Sequence, residues 1–463
     1  MIKYSWLNQI KRLQTYFEKL YHQNKDSYPE HLFIVAIETD NRFLIALFTL
    51  SCWKLPICLL PISGLYPDEY KNQLLKQCGI RFVFTDRTDI TDFSYTILSI
   101  HQLLNELDIN TLQLPVLLNM QLLYKQIKSP VKFLDENNPI KLIVTTSGTT
   151  QNPKAVYLSK NSILNHCLSS REVIKINSHS VWLNCVPLNH VAGLMILYRV
   201  MMVQGRVLLH ARFDVDKILY DLSEYKISHL SLVPVMLQQL VEKLLEHKNK
   251  SHINNNILKY VVIGGSHLSQ DLFAQARELD LPLIYGYGSS ESCSHISLAD
   301  MQNMGSAAIF KDKLSSGKVL SGVEIKIKPI ALESPVGLIK YRGNMLMSGY
   351  ANPDYRLDDG LDKGWFFSQD KGYINTQGEL FVMGRADQII ISGAKKIHPQ
   401  VIEQMMSKCP GIKHLTIYAQ ADKKWGQIIA MDYSGEWNIV RVKRWVEENI
   451  GSKFKPRFIN KNS

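Results

Sequence analysis

Apolar residues along the chain follow two alternating spacings. Short runs rich in β-branched residues, such as "HLFIVAIE", "IRFVFTD" and "IKLIV", predict strands. Between these runs, apolar residues recur every three or four positions and predict helices, as in "VMLQQLVEKLLEHK". Strand and helix patterns that alternate at this spacing are typical of α/β proteins with parallel strands. The hydrophobic pattern therefore predicts an α/β layer architecture for most of the chain.

The pattern changes in the last third of the chain. From about Gly317, the short alternating runs "VEIKIKPI" and "GLIKYRG" predict a smaller antiparallel sheet. From about Gln388, a separate strand and helix pattern predicts a small C-terminal lobe. A chain of 463 residues is also too long for one ordinary hydrophobic core. We therefore expect two or more domains.

Two apolar segments near the N-terminus are candidates for membrane contact. In the first, helical spacing relates Trp6, Leu7, Ile10, Leu13, Phe17 and Leu20. Lys and Arg lie between these residues, so a membrane-surface helix is one interpretation, and packing on the chain's own domain is the favoured one. The second, "FLIALFTLSCWKLPICLL", is interrupted at Lys54 and Pro56 and predicts a buried helix and turn. We expect no stable membrane insertion.

Cysteine usage indicates the cellular compartment, and the net charge indicates the class of partner. The seven cysteines are an odd number, are widely spaced and include no C-x-x-C pair. This favours buried free thiols in a reducing compartment, and the N-terminus lacks an apolar signal core, so we expect a cytoplasmic protein. The formal charge of +11 comes from 53 Lys and Arg against 42 Asp and Glu, which are scattered along the chain. Such a balance suits anionic small molecules, and we expect no nucleic-acid partner.

The stretch "TTSGTTQNPKA" crowds hydroxyl groups and one lysine behind a predicted strand. A strand that opens into a Ser/Thr/Gly loop presents backbone N–H groups and hydroxyl donors at its tip. A nest of donors with one mobile ammonium is typical of phosphate sites. The loop is not a Walker loop, which has a second glycine directly before its lysine. A plain surface loop is the alternative interpretation.

Three further stretches place glycine, hydroxyl or acidic residues after predicted strands. "VVIGGSH" has glycines that let a flat base or a phosphate come close. "IYGYGSSES" sets Glu291 beside hydroxyl residues, where a carboxylate suits Mg²⁺. In "GWFFSQDKGYI", Asp370 is a short acid suited to the two hydroxyls of a ribose. Each stretch alone has an ordinary explanation, as a turn or, for Glu291, as a solvated acid at a helix start.

In chain order, these stretches resemble the adenylate-forming superfamily of acyl-CoA synthetases, peptide-synthetase adenylation domains and luciferases. The signature "[ST]SGTTG-x-PKG" appears as "TSGTTQNPKA", "YG-x-TE" as "YGSSE" and "GW-x-x-TGD" as "GWFFSQD". The last part of the family pattern appears as "GRADQIIISGAKKIHPQVIE". Within the superfamily, "PLNHVAGLMILYR", "ILKYVVIGGSHLS" and "ADKKWGQ" are most similar to o-succinylbenzoate–CoA ligases of menaquinone synthesis.

The resemblance implies a particular domain organisation. The large N-terminal domain would consist of stacked mixed α/β sheets and a small antiparallel barrel-like subdomain, and a small mobile α+β lobe would follow it. Residues 1–386 would form the AMP-binding domain and residues 387–463 a shortened lobe. Asp387 would be the hinge about which this lobe swings between the two half-reactions.

The resemblance also implies an ATP-dependent acid–thiol ligase that uses Mg²⁺ and coenzyme A. A carboxylate attacks the α-phosphorus of ATP to give acyl-AMP and pyrophosphate, and a thiol then displaces AMP. Phosphoryl transfer of this kind needs positioning and charge stabilisation more than covalent help. By resemblance, the phosphate-binding residues are Thr146, Ser147, Gly148, Thr149, Thr150 and Lys154. Ser290 would contact the α-phosphate, and Glu291 would bind Mg²⁺.

The other site residues follow from the same resemblance. Those placed around the adenine are Gly264, Gly265, Ser266, Tyr287 and Gly288. Asp370 and Arg385 would bind the ribose, and His190 would gate or line the acyl and thiol side. Arg199 is the candidate cation for the distal carboxylate of o-succinylbenzoate, since a charge on an apolar helix needs a partner. The alternative for Arg199 is a helix-end side chain that reaches water.

The chain departs from the family pattern in two respects. Family glycines are replaced by Gln151, Ala155, Gln369 and Ala394. Where the backbone needs a positive φ, such a replacement costs about 1 kcal/mol or more. The chain also reads "SKFKPRFINKNS" where the family continues to a lysine that assists adenylation. We expect slow adenylation unless another lysine, among Lys453, Lys455 and Lys461, takes that place.

Three functions remain open at this point. The first is a ligase that joins a carboxylic acid to coenzyme A, of the o-succinylbenzoate type. The second is an adenylating enzyme that loads the pantetheine of a carrier protein. The third is a degenerate member that binds nucleotide or acyl-AMP without turnover. The replaced glycines favour the third function, whereas the retained Lys154, Glu291, Asp370 and Arg385 oppose it. The residues do not indicate an oligomeric state.

Overall fold

The computed structural model describes most of the chain and leaves short segments undescribed. The described residues are 5–27, 32–87, 95–109, 115–121, 123, 138–146, 154–246, 257–303, 309–310, 313–329, 334–386, 390–392, 395–397, 399–406, 408–422, 426–450 and 454–461.

Two compact units divide the chain. Unit 1 comprises Met1–Lys326, Lys340–Phe366 and Ile374–Phe381. Unit 2 comprises Ile327–Ile339, Phe367–Tyr373 and Val382–Ser463. The domain boundary between residues 386 and 387 stays a prediction, and its hinge residue, Asp387, lies outside the described residues.

Helices and strands alternate through unit 1. Its helices are α1 (Ser5–Asn24), α2 (Arg42–Cys52), α3 (Asp68–Gln77), α4 (Ile100–Glu106), α5 (Lys160–Ile174), α6 (Val191–Val203), α7 (Val215–Glu224), α8 (Pro234–Glu246) and α9 (Gln270–Glu278). Its strands are β1 (Ile34–Glu38), β2 (Cys58–Ile62), β3 (Phe82–Thr85), β4 (Thr96–Ser99), β5 (Val116–Asn119), β6 (Ile140–Thr145), β7 (Ala155–Ser159), β8 (Val181–Asn184), β9 (Arg206–Leu209), β10 (His229–Leu232), β11 (Tyr260–Ile263), β12 (Leu283–Tyr287), β13 (Ser297–Asp300), β14 (Ile309–Phe310) and β15 (Lys313–Val319).

The chain after β15 builds the remaining elements. The strands that follow are β16 (Val323–Pro329), β17 (Gly337–Gly343), β18 (Phe366–Ile374) and β19 (Glu379–Arg385), and their residues are divided between the units. The later elements of unit 2 are β20 (Ile390–Ser392), β21 (Lys395–Ile397), α10 (Pro399–Met406), β22 (His414–Asp422), β23 (Gly426–Ser434), α11 (Ile439–Asn449) and β24 (Phe458–Lys461).

The sheets of unit 1 are mainly parallel, as the alternating pattern predicted. One sheet has the strand order β4-β3-β1-β2-β6-β7, and only its β6–β7 pair is antiparallel. In the larger sheet, β9, β8, β10, β11 and β12 are parallel neighbours in that order. The larger sheet is antiparallel at its β5–β9 edge and again from β12 onward, at β13 and β15. The α/β prediction is therefore confirmed, and the change of character after Gly317 falls in its antiparallel part.

The two N-terminal apolar segments belong to the core. In α1, the side chains of Trp6, Leu13 and Phe17 are almost fully buried, and the Phe17 ring meets the ring of Phe48 at a centroid distance of 5.2 Å. Every residue of α2 is buried, and the side chain of Asn41 accepts hydrogen bonds from the first backbone N–H groups of that helix. In the described part of the chain, no helix is long and apolar enough to cross a membrane. Packing on the protein itself, rather than on a membrane surface, is the confirmed interpretation of α1.

The cysteines behave as the sequence predicted. All seven are free, and all seven are buried. Burial raises the pKa of the Cys52, Cys167 and Cys293 thiols to about 12, which keeps them protonated at neutral pH. These thiols therefore act as small apolar groups in the core.

Unit 2 has its own small hydrophobic core. Its sheet has the strand order β21-β20-β23-β22, with β24 parallel to β23. The long antiparallel pair of β22 and β23 presents Ile417, Ile429 and Met431 to the apolar face of α11, where Val442 and Val446 are fully buried. The predicted strand and helix pattern after Gln388 is thereby confirmed.

Candidate active site

The predicted site residues of unit 1 follow the carboxyl ends of parallel strands. His190 comes after β8, Gly264 directly follows β11, and Tyr287 is the last residue of β12. Because β8, β10, β11 and β12 run parallel, their carboxyl ends meet at one edge of the sheet. In α/β proteins this edge is where ligands bind. The fold therefore gathers residues that are far apart in sequence.

The ends of the hydroxyl loop are fixed by an antiparallel strand pair. Thr145 at the end of β6 lies opposite Ala155 at the start of β7. The backbone N–H of Thr146 donates to the carbonyl of Lys154 over 2.8 Å, which closes the loop at its base. Residues 147–153 lie outside the described part of the chain, so the roles of Ser147, Gly148, Thr149 and Thr150 stay predictions.

Tyr350 links the lysine of this loop to the predicted metal ligand. The exposed Lys154 has its Nζ 5.5 Å from the centre of the Tyr350 ring. The hydroxyl of the same tyrosine donates to Oε1 of Glu291 over 2.9 Å. An ammonium over an aromatic ring is held by the ring's negative face. One tyrosine therefore brings the predicted phosphate-binding cation and the predicted Mg²⁺ ligand into the same small region.

Glu291 is buried rather than solvated. It lies in a short 3-10 helix, Ser290–Ser292, and is only 8% exposed. The interpretation of Glu291 as a solvated acid at a helix start is therefore wrong. Its Oε1 accepts a hydrogen bond from the Tyr350 hydroxyl, and its backbone carbonyl accepts one from the Met347 N–H. Its Oε2 accepts no hydrogen bond from the described residues, which leaves an oxygen for a cation. A single carboxylate suits Mg²⁺, which fills its other positions with water and phosphate oxygens.

The turn before Glu291 is too tight for any side chain at Gly288. A Cβ there would stand 1.8 Å from the carbonyl oxygen of Ser294. The backbone N–H of Ser289 donates to Oγ of Ser292 over 3.0 Å, and Cys293 takes a left-handed conformation at φ 55°. These contacts set Ser290, the predicted α-phosphate residue, at the start of the 3-10 helix in a half-buried position.

The two glycines after β11, Gly264 and Gly265, are required for different physical reasons. Gly265 has φ +84°, which favours glycine. A Cβ at Gly264 would lie 3.0 Å from Nε2 of His295, so that space faces an imidazole of the protein. The sequence interpretation reserved this space for a flat base or a phosphate. The adenine roles of these glycines, Ser266 and Tyr287 stay predictions.

His190 precedes α6 and has an unpartnered ring. Among the described residues, its side chain makes no hydrogen bond, and it does not cap the helix. Burial lowers the pKa of its imidazole, so the ring is neutral at pH 7. A neutral, half-buried imidazole can line a substrate channel without adding charge. Its predicted role on the acyl and thiol side stays a prediction.

Arg199 is one of the most deeply buried cations of unit 1. It is 2% exposed and lies in the interior of α6, so the alternative in which its guanidinium reaches water is wrong. Its Nε donates to Oγ of Ser170 over 3.2 Å, and its Nη2 contacts the imidazoles of His166 and His295. In the described part of the chain, no carboxylate pairs with it. Burial is the main cause that lowers its pKa to about 10, and it remains charged at pH 7.

The two predicted ribose residues belong to unit 2. Nη1 of Arg385 lies 4.0 Å from Oδ1 of Asp370. Gln369, which stands for a family glycine, has φ 59°, so the conformational demand suspected from the sequence is present at this position. Ala155 is in a strand and has no positive φ, so its replacement of glycine causes no such strain. Gln151 and Ala394 lie outside the described residues.

Three side chains of this region were missed by the sequence interpretation. They are Tyr350, His166 and His295. Of these, only His295 could have been suspected from the sequence, because it follows Glu291, a predicted site residue, by four residues. Tyr350 is 59 residues from Glu291, and His166 is 33 residues from Arg199, so no local pattern relates them.

Comparison with known proteins identifies the family of this chain. The sequence model of the AMP-binding enzyme family matches residues 28–351. The chain therefore belongs to the AMP-binding enzyme family. This agrees with the resemblance drawn from its phosphate-loop and "YGSSE" motifs.

The similar curated sequences carry one name within that family. The chain is 32% identical to the 2-succinylbenzoate–CoA ligase of Lactococcus lactis over 71% of this chain and 67% of that protein. It is 32% identical to the corresponding ligase of Enterococcus faecalis over 62% of this chain and 58% of that protein. Its matched part thus spans less than two thirds of the second relative.

Solved structures show the same fold. The o-succinylbenzoate coenzyme A synthetase (MenE) of Bacillus subtilis in complex with ATP and magnesium superposes with a TM-score of 0.73 at 22% identity. That match covers 93% of this chain and 85% of the other. ATP-bound MatB from Rhodopseudomonas palustris gives a TM-score of 0.76 at 16% identity, covering 99% and 88% of the two chains. The fold of the AMP-binding enzymes is therefore the fold of this chain.

Proposed function

We propose that this protein is an ATP-dependent acid–thiol ligase that activates o-succinylbenzoate as its acyl adenylate and transfers the acyl group to coenzyme A. The observation that carries the proposal is the link from Lys154 through Tyr350 to Glu291. Through this tyrosine, the ammonium of Lys154 and the partly free carboxylate of Glu291 lie close to each other, which supports a shared role in binding ATP and Mg²⁺. The names of the relatives, 2-succinylbenzoate–CoA ligases, support the choice of acid.

In the first half-reaction, a carboxylate oxygen of the acid attacks the α-phosphorus of ATP and pyrophosphate leaves. Lys154 is the cation for the leaving phosphates, and Ser290 a donor to the α-phosphate. Mg²⁺ held by Glu291 supplies charge neutralisation when it is bound. Asp370 and Arg385 bind the ribose. In the second half-reaction, the coenzyme A thiol attacks the acyl carbonyl and AMP leaves, with the neutral His190 lining that side.

A second carboxylate on the substrate is supported by the surroundings of Arg199. Among the residues of unit 1 that the structure describes, two arginines are deeply buried, and they differ in their partners. Arg42 donates to the carbonyls of Val186 and His210 and to Oδ1 of Asn184, which is a structural role. Arg199 has only neutral partners, and its Nη1 donates to none of the described residues. A buried charge without a counter-charge is costly, so an anionic ligand would stabilise it.

The substrate assignment is tested with acids that differ in one carboxylate. Replacing Arg199 with Ala should raise KM for o-succinylbenzoate about 10- to 100-fold, since a charge-assisted hydrogen bond is lost. The KM for benzoate or another monocarboxylate should change little. An equal rise in KM for both acids would contradict the role of Arg199 in binding the distal carboxylate.

The reaction itself is tested by ATP–pyrophosphate exchange, with o-succinylbenzoate and a panel of aryl and fatty acids. Exchange that depends on o-succinylbenzoate supports the proposal, and variants of Lys453, Lys455 and Lys461 would then show which lysine assists. A synthetic acyl adenylate supplied with coenzyme A tests the second half-reaction separately. If no acid supports either exchange or thioester formation, the protein is not a ligase, and the nucleotide-binding alternative is favoured.

The hinge and the acceptor thiol complete the proposal. Asp387 is proposed as the hinge between residues 1–386 and 387–463, so Asp387→Pro should change the ratio of the two half-reaction rates. Equal slowing of both half-reactions would contradict the hinge.

Coenzyme A is preferred over a carrier protein as the acceptor thiol, because the similar structures include a MenE bound to the product analogue OSB-NCoA. Mass measurement of the acylated thiol distinguishes the two acceptors.

A further inference from the structure

Behind Gly264, Arg199 lies between two imidazoles. Its Nη2 faces Nε2 of His166 and, over 3.3 Å, Nδ1 of His295. A guanidinium nitrogen has protons to donate and no lone pair to accept with. Since Nη2 carries two protons, it can donate to both rings. The imidazole nitrogens that face it must therefore both be acceptors.

This contact fixes the protonation state of His295. Oγ of Ser294 also lies 3.2 Å from its Nδ1, which suits a second donor to the same nitrogen. Burial, followed by the charge of Arg199, lowers the pKa of His295 to about 3, so the ring is neutral at pH 7. A neutral imidazole whose Nδ1 accepts must carry its proton on Nε2. His295 is thus an Nε2–H donor.

The Nε2–H group of His295 is directed at the predicted nucleotide edge. Nε2 lies 3.0 Å from where a Cβ at Gly264 would stand, and the missing side chain of Gly286 makes room for the same ring. His295 is 8% exposed, and among the described residues none accepts a hydrogen bond from Nε2. This nitrogen is therefore available to an acceptor from outside the protein. An acceptor brought by a ligand would complete this site.

We propose that His295 reads the acyl adenylate by donating a hydrogen bond from Nε2 to an acceptor atom of that ligand, with Arg199 holding the ring in the required tautomer. The proposal rests on the proposed function, which supplies the acyl adenylate. It gives Arg199 a second task beside attraction of a distal carboxylate. The distal carboxylate and the adenylate would then be bound by one connected cluster, Arg199 and His295.

The tautomer is measured directly by ¹⁵N NMR of the full-length protein labelled at histidine. The signals of His295 are assigned by their loss in the variant His295→Gln. We expect a protonated Nε2 and an unprotonated Nδ1 at neutral pH in the protein without ligand. A proton on Nδ1, or on both nitrogens, would overturn the proposal. This readout does not depend on activity, and a merely space-filling ring would not require one tautomer.

The ligand contact is measured by calorimetric titration with a stable o-succinylbenzoyl sulfamoyl adenosine. Removal of the donor in His295→Leu should weaken binding about 10- to 100-fold. His295→Gln should lose less, since its side-chain amide can still donate. Thermal unfolding of each variant shows whether it is folded before titration.

His229 offers a matched control. It is also a buried neutral histidine; its Nε2 faces the carbonyl of Ile174 over 3.2 Å and its Nδ1 faces Oγ of Ser228 over 2.8 Å. It begins β10 and so lies at the amino ends of the parallel strands. His229→Gln should bind the analogue as the unmodified protein does. Equal affinity of His295→Leu, His295→Gln and the unmodified protein would overturn the proposal, whereas no binding by the unmodified protein would overturn the proposed function.

Discussion

At the scale of single residues, Glu291 is the group whose environment departs most from its sequence context. It follows a glycine and two serines, yet it is buried, accepts a hydrogen bond from Tyr350, and keeps one oxygen unpaired among the described residues. We predict that Glu291→Gln slows ATP–pyrophosphate exchange by about 10²- to 10³-fold, because the variant loses the carboxylate that would hold Mg²⁺, the ion that neutralises the phosphates. The concentration of Mg²⁺ needed for half-maximal exchange should rise. Exchange is measured as Mg²⁺ is varied.

A surface glutamate provides the control for Glu291. Glu324 is exposed and pairs with Arg342 over 2.8 Å. Glu324→Gln removes the same charge from an exposed pair and should leave the Mg²⁺ requirement unchanged. If both variants depend on Mg²⁺ as the unmodified protein does, Glu291 is not the metal ligand.

Gln369 carries a conformational cost that can be measured as stability. At φ 59° a non-glycine residue costs about 1–2 kcal/mol, and a β-branched residue costs more. Gln369→Val should therefore lower the free energy of unfolding by about 1 kcal/mol or more. Gln369→Gly should keep it equal or raise it by up to about 1 kcal/mol, since glycine loses more backbone entropy on folding. Urea unfolding of the full chain checks both values.

Gln420 is the control for Gln369. At Gln369 the Gly variant should be more stable than the Val variant, and at Gln420 the order should be reversed. It lies in β22 opposite Ile428, with strand geometry and no positive φ. Valine suits a strand and glycine weakens one, so Gln420→Val should be more stable than Gln420→Gly. The same order at both positions would contradict the strain at Gln369.

At the scale of elements, the turn between β12 and the 3-10 helix should tolerate no side chain. Gly288→Ala would place its Cβ against the backbone of Ser294, which cannot rotate away. We predict a loss of about 3 kcal/mol or more in unfolding free energy, together with loss of exchange. Gly378 has φ +79° and nothing within 4 Å, so Gly378→Ala tests backbone strain alone and should cost about 1 kcal/mol. Similar losses for both variants would refute the clash.

Helix α1 is held by the core, and its central aromatic residue is the test. Phe17 is fully buried and meets Phe48 and Phe84 edge to face. Phe17→Ala should lower the free energy of unfolding by about 3–5 kcal/mol. Tyr220 of α7 is 65% exposed, and Tyr220→Ala should change it by no more than about 0.5 kcal/mol. A small effect at both positions would contradict core packing of α1.

Elements with a strong hydrophobic pattern were predictable, because the apolar residues that pack into the core recur at a regular spacing along the sequence. The strand "IKLIV" lies in β6, and the described part of "VMLQQLVEKLLEHK", up to Glu246, lies in α8. The apolar run "SVWLNCVPLN" by itself predicts one longer strand, whereas β8 ends at Asn184. There the polar Asn184 side chain bonds Arg42 and the carbonyl of Gly193, and the chain turns toward His190. Tertiary hydrogen bonds ended that strand, and the local pattern contained no sign of them.

At the scale of the whole molecule, the net charge of +11 should favour capture of anionic substrates. We predict that kcat/KM for ATP and for coenzyme A falls as potassium chloride rises from about 0.01 M to about 1 M, because screening shortens the Debye length about tenfold. The value of kcat should change less. Sucrose at matched osmolality is the control, since it screens no charge. Unchanged kcat/KM across this range would show that the scattered charges do not steer substrate.

The sequence by itself determined the order of helices and strands, the free thiols and the family. These features depend on local spacing and on motifs read along the chain, such as "TSGTTQNPKA" and "YGSSE". The tertiary structure alone decided the environments of Glu291, Arg199 and His295. Their partners lie 59, 33 and 96 residues away, and burial, charge compensation and tautomer are properties of such contacts. Chemistry that depends on a neighbour far along the chain is visible only after folding.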